Sequence, residues 1–227
     1  RKIHIIFMKA RPRVVIIQAH IPHYRVSFYE RLREKCEGLG VCIEVVYSPE
    51  CSIAAVPSDL AWGFKVKGKR LGPAIVQFLP SRAWNADLVI IPQEVKFISN
   101  IVVFLWRKIT RQKIAIWGHG RDFQSPDNDL LRSRLRKFIS RRADWWFAYN
   151  LMCVEVVREL GFDEAKITKV RNSIDIEKIR EVKKDVTDEQ LVILKKSLAI
   201  QSENVAVFSG RFNEVKRTEF LLKACVL

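Results

Sequence analysis

The run Ile114-Ala115-Ile116-Trp117-Gly118-His119-Gly120-Arg121-Asp122 decides how the rest of the chain is read. A short, mostly β-branched apolar run that stops at a glycine reads as a strand buried on both faces of a parallel sheet. The tips of such strands are where open α/β sheets place their ligands. His119 stands at that tip between two glycines, which makes it the candidate catalytic group of the chain. A plainer reading stands beside it: Gly118 and Gly120 only shape a turn, and His119 is a solvated loop residue.

Upstream of that run, residues 87–91 read as a second strand. Residues 97–108 read as a helix with Ile98, Ile101, Val102 and Leu105 turned inward. Further back, residues 14–18 form a strand and the loop Ala19-His20-Ile21-Pro22-His23-Tyr24-Arg25 follows. A helix over 26–37 comes next, with Phe28, Leu32 and Cys36 at i, i+4 and i+8 on one buried face. Gly38 and Gly40 end it before a strand over 41–47. The stretch 48–86 is broken by prolines at 49, 57, 73 and 80 and by glycines at 63, 68 and 72, and yields one short strand around Phe64.

Downstream, residues 129–142 form a helix with Leu131, Leu135, Phe138 and Ile139 on one stripe. Its six cations, Arg132, Arg134, Arg136, Lys137, Arg141 and Arg142, have no acid among them. Two readings stay open: a basic helix facing anionic lipid head groups, or a surface helix whose stripe packs on the sheet. Residues 144–149 read as an aromatic core strand, 152–160 as a helix ended by Gly161, and 167–170 as a strand. Asp175 then fits the N-cap of a helix over 176–182. Residues 183–203 are charged and helical, 205–208 are an apolar strand, and 218–227 are helical. The alternation of strand, loop and helix predicts an α/β fold, a doubly wound Rossmann-like parallel sheet over 13–175. An interdomain connection over 176–203 leads to the first β-α unit of a second such domain over 204–227.

With 227 residues, 48% of them hydrophobic, the chain can build a packed core, which excludes the disordered and collagen-like classes. Its net charge of +15 attracts nucleic acid, nucleotide phosphates or an anionic membrane surface. The charges and aromatics do not interleave as a nucleic-acid module, so no nucleic-acid partner is expected, although a basic nucleic-acid-binding protein remains the alternative of a different class. The cysteines, Cys36, Cys42, Cys51, Cys153 and Cys225, are odd in number and form no C-x-x-C pair, which points to a reducing, cytoplasmic compartment. No run of about 18 uncharged apolar residues occurs. The basic, then apolar start lacks a cleavage site, and Met8 is a candidate natural start. Without an Asp-x-Asp triplet no metal is expected.

Taken in order, Asn172-x-x-Asp175, the turn Ser209-Gly210-Arg211 and the element Gly210-Arg211-x-x-x-x-Lys216 resemble the GT-B glycosyltransferases of the family 4 or group 1 type, over roughly residues 13–227. The resemblance implies a nucleotide-sugar donor and no separate cofactor, with transfer to a saccharide or lipid-linked saccharide acceptor, with retention, at the inner face of a membrane. It implies that Gly210, Arg211 and Lys216 bind the donor diphosphate. Two cations at a glycine turn before a helix are suited to that anion, and they would also stabilise the leaving nucleoside diphosphate. It implies that His119 lies near the transferred sugar and stabilises the positive charge developing at the anomeric carbon. It also implies that His23, Tyr24 and Arg25 occupy the loop facing donor and acceptor, where the family's two glycines are missing. The family's Glu-x₇-Glu motif belongs beyond Leu227; Glu181 and Glu189 share its spacing but precede the Gly-Arg turn. The 227-residue chain is accordingly expected to lack useful transferase activity alone, and a non-catalytic acceptor-domain remnant is the other outcome.

Overall fold

A computed structural model of the chain describes residues 11–49, 60–94, 96–121, 130–210, 212 and 214–225. The chain divides into two compact units, one up to Asp175 and one from Ile176 onward.

The first unit is built on a seven-stranded sheet, all parallel. Its strands are β1 (Arg13–Gln18), β2 (Cys42–Tyr47), β3 (Gly63–Lys65), β6 (Leu88–Pro92), β7 (Lys113–Gly118), β8 (Trp145–Ala148) and β9 (Ile167–Lys169), in the order β3-β2-β1-β6-β7-β8-β9. The doubly wound sheet expected from the alternation of elements is the one observed. The order reverses between β1 and β6. Two further strands, β4 (Gly68–Leu71) and β5 (Ala74–Gln77), pair as an antiparallel hairpin apart from the sheet.

Strand residues alternate between two cores, as the two-residue period of a strand requires. Val15, Ile17, Val89, Ile91, Ile114, Ile116 and Trp146 face one side. There they meet α3 (Ile98–Trp106), α4 (Leu130–Ser140) and α5 (Leu151–Glu159) through Val103, Ile139 and Val157. Ile16, Val45, Ile90, Ala115 and Trp117 face the other side, against Phe28, Tyr29 and Leu32 of α1 (Val26–Gly38). The short helix α2 (Ser81–Trp84) closes the first core with Ala83. Acids hold the lower edge together. Asp87 accepts from the Arg13 N–H at 2.7 Å, and Asp144 accepts from the Ile114 N–H at 2.8 Å and pairs with Arg107 at 2.9 Å.

The expected faces of two helices are corrected, and one hairpin is added. In α3 the inward residues are Ser99, Asn100 and Val103, whereas Ile98, Val102 and Leu105 are exposed and Ile101 is half-buried. The cause is Asn100, whose Nδ2 donates to the carbonyls of Pro92 at 2.9 Å and Glu94 at 3.3 Å. Satisfying those carbonyls, one at the last residue of β6 and one just past it, outweighs the orientation that apolar periodicity alone would choose. In α4 the stripe is likewise only partly inward: Ile139 packs and Ser140 is buried, but Leu135 and Phe138 are exposed. The hairpin of β4 and β5 was not legible in the sequence, because Gly68, Gly72 and Pro73 read as breakers; Gly72, at φ +58°, is the turn itself.

The second unit contains α6 (Ile176–Lys184), α7 (Asp188–Ser197), a 3₁₀ turn over Glu214–Lys216 and α8 (Thr218–Ala224). A capping box between Thr187 and Gln190 starts α7. The expected strand over 205–208 is not formed. A strand needs a neighbour to take its backbone hydrogen bonds, and no described residue of this unit is in a strand. No helix among the described residues is long and apolar enough to cross a membrane.

Candidate functional site

At the reversal between β1 and β6, the place where open sheets most often bind ligands, the crevice is filled. Ile75 of β5 and Phe97 are both buried there and pack on Ala19, and the two are joined by a parallel bridge. Beside them the Gln77 amide donates to the Gln18 carbonyl at 2.9 Å and to Ser48 Oγ at 2.7 Å. The polar groups that converge lie further along, at the tips of β7 and β8.

The register explains their meeting. Gly118 of β7 is paired with Ala148 of β8, so the next residues, His119 and Tyr149, emerge side by side. Their rings stack with centroids 4.4 Å apart, tilted by 40°. On its other side the His119 Nδ1 lies 3.5 Å from Cys153 Sγ. Cys153 is fixed in turn, since its N–H donates at 2.9 Å to the side chain of Asn150, the N-cap of α5. This contact couples the imidazole to the thiol: in the Nε2–H tautomer the Cys153 S–H donates to Nδ1, and in the Nδ1–H tautomer the ring donates to Sγ.

The two glycines do more than bend the chain. The Gly120 N–H donates to Gln93 Oε1 at 2.7 Å, and this fixes the orientation of the Gln93 amide, because the opposite one would set two donors against each other. A Cβ on Gly118 would sit 2.6 Å from Gln93 Cβ and 2.8 Å from its Oε1. Gly120 has φ +85°, and a Cβ there would sit 2.7 Å from Val156 Cγ1. Gln93 and α5 thus clamp the backbone on either side of His119.

Arg25 comes from the loop after β1, just before α1. Its guanidinium lies over the rings of Trp117, 5.5 Å from the centroid, and Tyr149, at 5.2 Å. Its Nη2 donates to Tyr149 Oη at 3.0 Å and to Asn172 Oδ1 at 3.0 Å. Asp175, three residues on, pairs with Arg31 of α1 at 3.7 Å. The Asn-x-x-Asp segment therefore ties the end of this unit back to the loop and helix after β1.

Burial holds the His119 imidazole below the usual histidine range, and the nearby Arg25 charge pushes in the same direction. The ring is neutral at pH 7. Since the unfolded chain takes up this proton at higher pH than the folded one, the linked stability is complete above about pH 6.5 and declines as pH falls below it. An NMR titration of the His119 ring should show its midpoint below that of a free histidine, and Arg25→Gln should move the midpoint up. A midpoint unmoved by that substitution would show that the Arg25 charge does not reach the ring.

Of the residues singled out from the sequence, the structure brings together His119, Arg25 and Asn172. His23 and Tyr24 are exposed on the same loop and pack edge to face on each other at 5.7 Å. Gly210 and Lys216 belong to the second unit, Lys216 in the 3₁₀ turn; Arg211 lies outside the described residues, as do Asp122 and Cys51. Arg134, Lys137, Arg141 and Arg142 are exposed on or just after α4, while the side chains of Arg132 and Arg136 lie outside those described. Sequence reading missed Tyr149, Cys153, Gln93 and the ring of Trp117. Tyr149 had a usable signal, since it ends its strand as His119 ends the one before. Among the described residues no group of three or more His, Cys, Asp or Glu could hold a metal ion.

No protein-family model matches the chain, and no curated protein matches it by sequence. Solved structures do. HepE from Anabaena in complex with UDP superposes at TM-score 0.60 and 13% identity, covering 94% of this chain and 57% of that one. The same protein in complex with UDP-glucose gives TM-score 0.60 at 14% identity, with the same coverage. The UDP-GlcNAc 2-epimerase from Methanocaldococcus jannaschii overlays at TM-score 0.48 and 12% identity over 94% of this chain and 60% of that one, too weakly to carry an argument. The chain thus spans little more than half the length of HepE. Over the residues compared, its fold is of the GT-B type.

Proposed function

We propose that these residues form the acceptor-side half of a glycosyltransferase that uses a nucleotide-sugar donor, with His119 beside the sugar being transferred. The observation that carries the proposal is the clamped Gly118-His119-Gly120 tip, with a neutral imidazole stacked on Tyr149 and braced through Tyr149 by Arg25. A rigid, uncharged ring at the ligand-binding edge of the sheet can hydrogen-bond a sugar hydroxyl, and it adds no cation beside an anomeric carbon that becomes positive. The fold agrees with this reading, and the UDP and UDP-glucose bound by HepE indicate the donor class to try first. Gly210, Arg211 and Lys216 are assigned to the donor diphosphate. The acceptor is assigned to the saccharides, free or lipid-linked, and the outcome to retention. Turnover is assigned to a protein that also contains a complete donor half.

The test is an NMR titration of a protein that contains these 227 residues together with a complete donor half. UDP-glucose at about 10 mM, above a millimolar Kd, which corresponds to a binding free energy of about −4 kcal/mol, should shift the His119 and Tyr149 ring resonances, and UDP alone should shift them less. Unmoved rings would overturn the placement of the sugar. Robust transfer by this chain alone would overturn the division of labour between the halves.

A further inference from the structure

The outward side of α3 is apolar where a surface helix is ordinarily polar. Ile98, Val102 and Leu105 recur at i, i+4 and i+7, one stripe on the helix, with Leu105 56% exposed, and Ile109, 80% exposed, follows in the turn after Trp106. Trp106, which stacks on Trp84 at 5.7 Å, is part-exposed beside them. The helix has its polar residues Ser99 and Asn100 inside and these residues outside, an inversion held by the bonds from Asn100 to the Pro92 and Glu94 carbonyls. A contiguous apolar patch on the surface marks a place that something else covers.

The surroundings say what. Between Trp106 and Lys113 come Arg107, Lys108, Arg111 and Lys113 with no acid. Helix α4 lies against α3 on the same face of the sheet, since the Arg107 guanidinium donates to the Arg142 carbonyl at 2.7 Å and Ile101 and Ile139 line one small cavity. The outward side of α4 and its end present Arg134, Lys137, Arg141 and Arg142, together with the exposed ring of Phe138, over which Arg142 lies at 3.5 Å. Asp144 is engaged by Arg107 and Lys113. An apolar stripe bordered by cations is the arrangement of a surface that enters the head-group region of an anionic bilayer: the side chains of α3 reach the acyl boundary and the cations meet lipid phosphates.

We propose that α3, flanked by the basic side of α4, is a membrane-docking surface for anionic phospholipid, with α3 the inserting element. This inference does not depend on the proposed transferase reading, because its test needs neither donor nor acceptor. The test is co-sedimentation of the full 227-residue chain with phosphatidylglycerol vesicles and with phosphatidylcholine vesicles. Three proteins are compared: the unaltered chain, Leu105→Ser/Ile109→Ser, and Arg134→Gln/Lys137→Gln/Arg141→Gln. All five side chains are exposed, so folding is preserved, and circular dichroism checks it. The unaltered chain should bind phosphatidylglycerol but not phosphatidylcholine, and each variant should bind about tenfold more weakly or worse. Binding that survives loss of the stripe while the charge variant fails would overturn α3 as the inserting element. Equal binding to both lipids, or to neither, overturns the anionic-membrane assignment. So does a concentration-dependent dimer that Leu105→Ser/Ile109→Ser dissociates, because the stripe would then belong to a second copy of the chain.

Discussion

Replacing Gly120 with valine is expected to destabilise the first unit by on the order of 4 kcal/mol, through the combined cost of a β-branched residue at positive φ and of overpacking. At φ +85° the branched side chain meets its own backbone, and its Cβ starts 2.7 Å from Val156 Cγ1 and 3.1 Å from Val157 Cγ2. Val157, on the inner face of α5, is fully buried in the core and is not free to give way. The measurement is the urea midpoint followed by tryptophan fluorescence. It is informative because Gly118→Ala makes a different prediction. The Cβ added there meets the Gln93 side chain, 2.6 Å from its Cβ and 2.8 Å from Oε1, rather than core atoms. Gln93 Cβ is fixed to its own backbone and cannot rotate away, so Gly118→Ala should cost in the upper part of the overpacking range of about 1–3 kcal/mol, without the added cost of a branched residue at positive φ. It should, however, break the bond from the Gly120 N–H to Gln93 and displace His119. A Gly120→Val protein as stable as the original would mean that the tip is not clamped as described.

Under the proposed function, the largest effect on chemistry falls on His119→Ala. In a gene product that contains these 227 residues with a complete donor half, nucleotide release coupled to transfer is expected to fall about 10²- to 10³-fold, the usual loss when one preorganised group facing a developing charge is removed. The loss should appear in kcat, with KM for the donor little changed, because the diphosphate is assigned to Gly210, Arg211 and Lys216 and not to His119. Cys153→Ala serves as the companion variant. It leaves the imidazole in place but removes the thiol 3.5 Å from Nδ1, so it should cost far less and alter the pH profile as the ring loses that contact. A His119→Ala protein that retained full kcat would refute the role given to the ring.

The sheet was legible because its strands are continuous apolar runs between turn residues, and burial on both faces leaves little else for such runs to be. The candidate histidine was legible for the same reason, as the first polar residue past the buried run of β7. The face of α3 was not legible, because apolar period predicts orientation only where burial decides it. Here the carbonyls of Pro92, at the end of β6, and of Glu94 had to be satisfied, and Asn100 satisfied them by turning inward. The strand expected at 205–208 failed for a related reason: apolar composition makes a segment able to pair, but pairing needs a partner strand.

By itself the sequence determined the alternation of strand and helix along the main sheet, its parallel α/β class, the anion-attracting charge and the position of His119 at a strand tip. These follow from local composition and period. The tertiary structure alone decided that Ile75 and Phe97 fill the crevice between β1 and β6. It decided too that Tyr149 and Cys153 lie on either side of His119, and that Arg25 crosses from the first loop to Tyr149 and Asn172. Those contacts join residues up to 147 positions apart, and only strand register and sheet order bring them within hydrogen-bond reach.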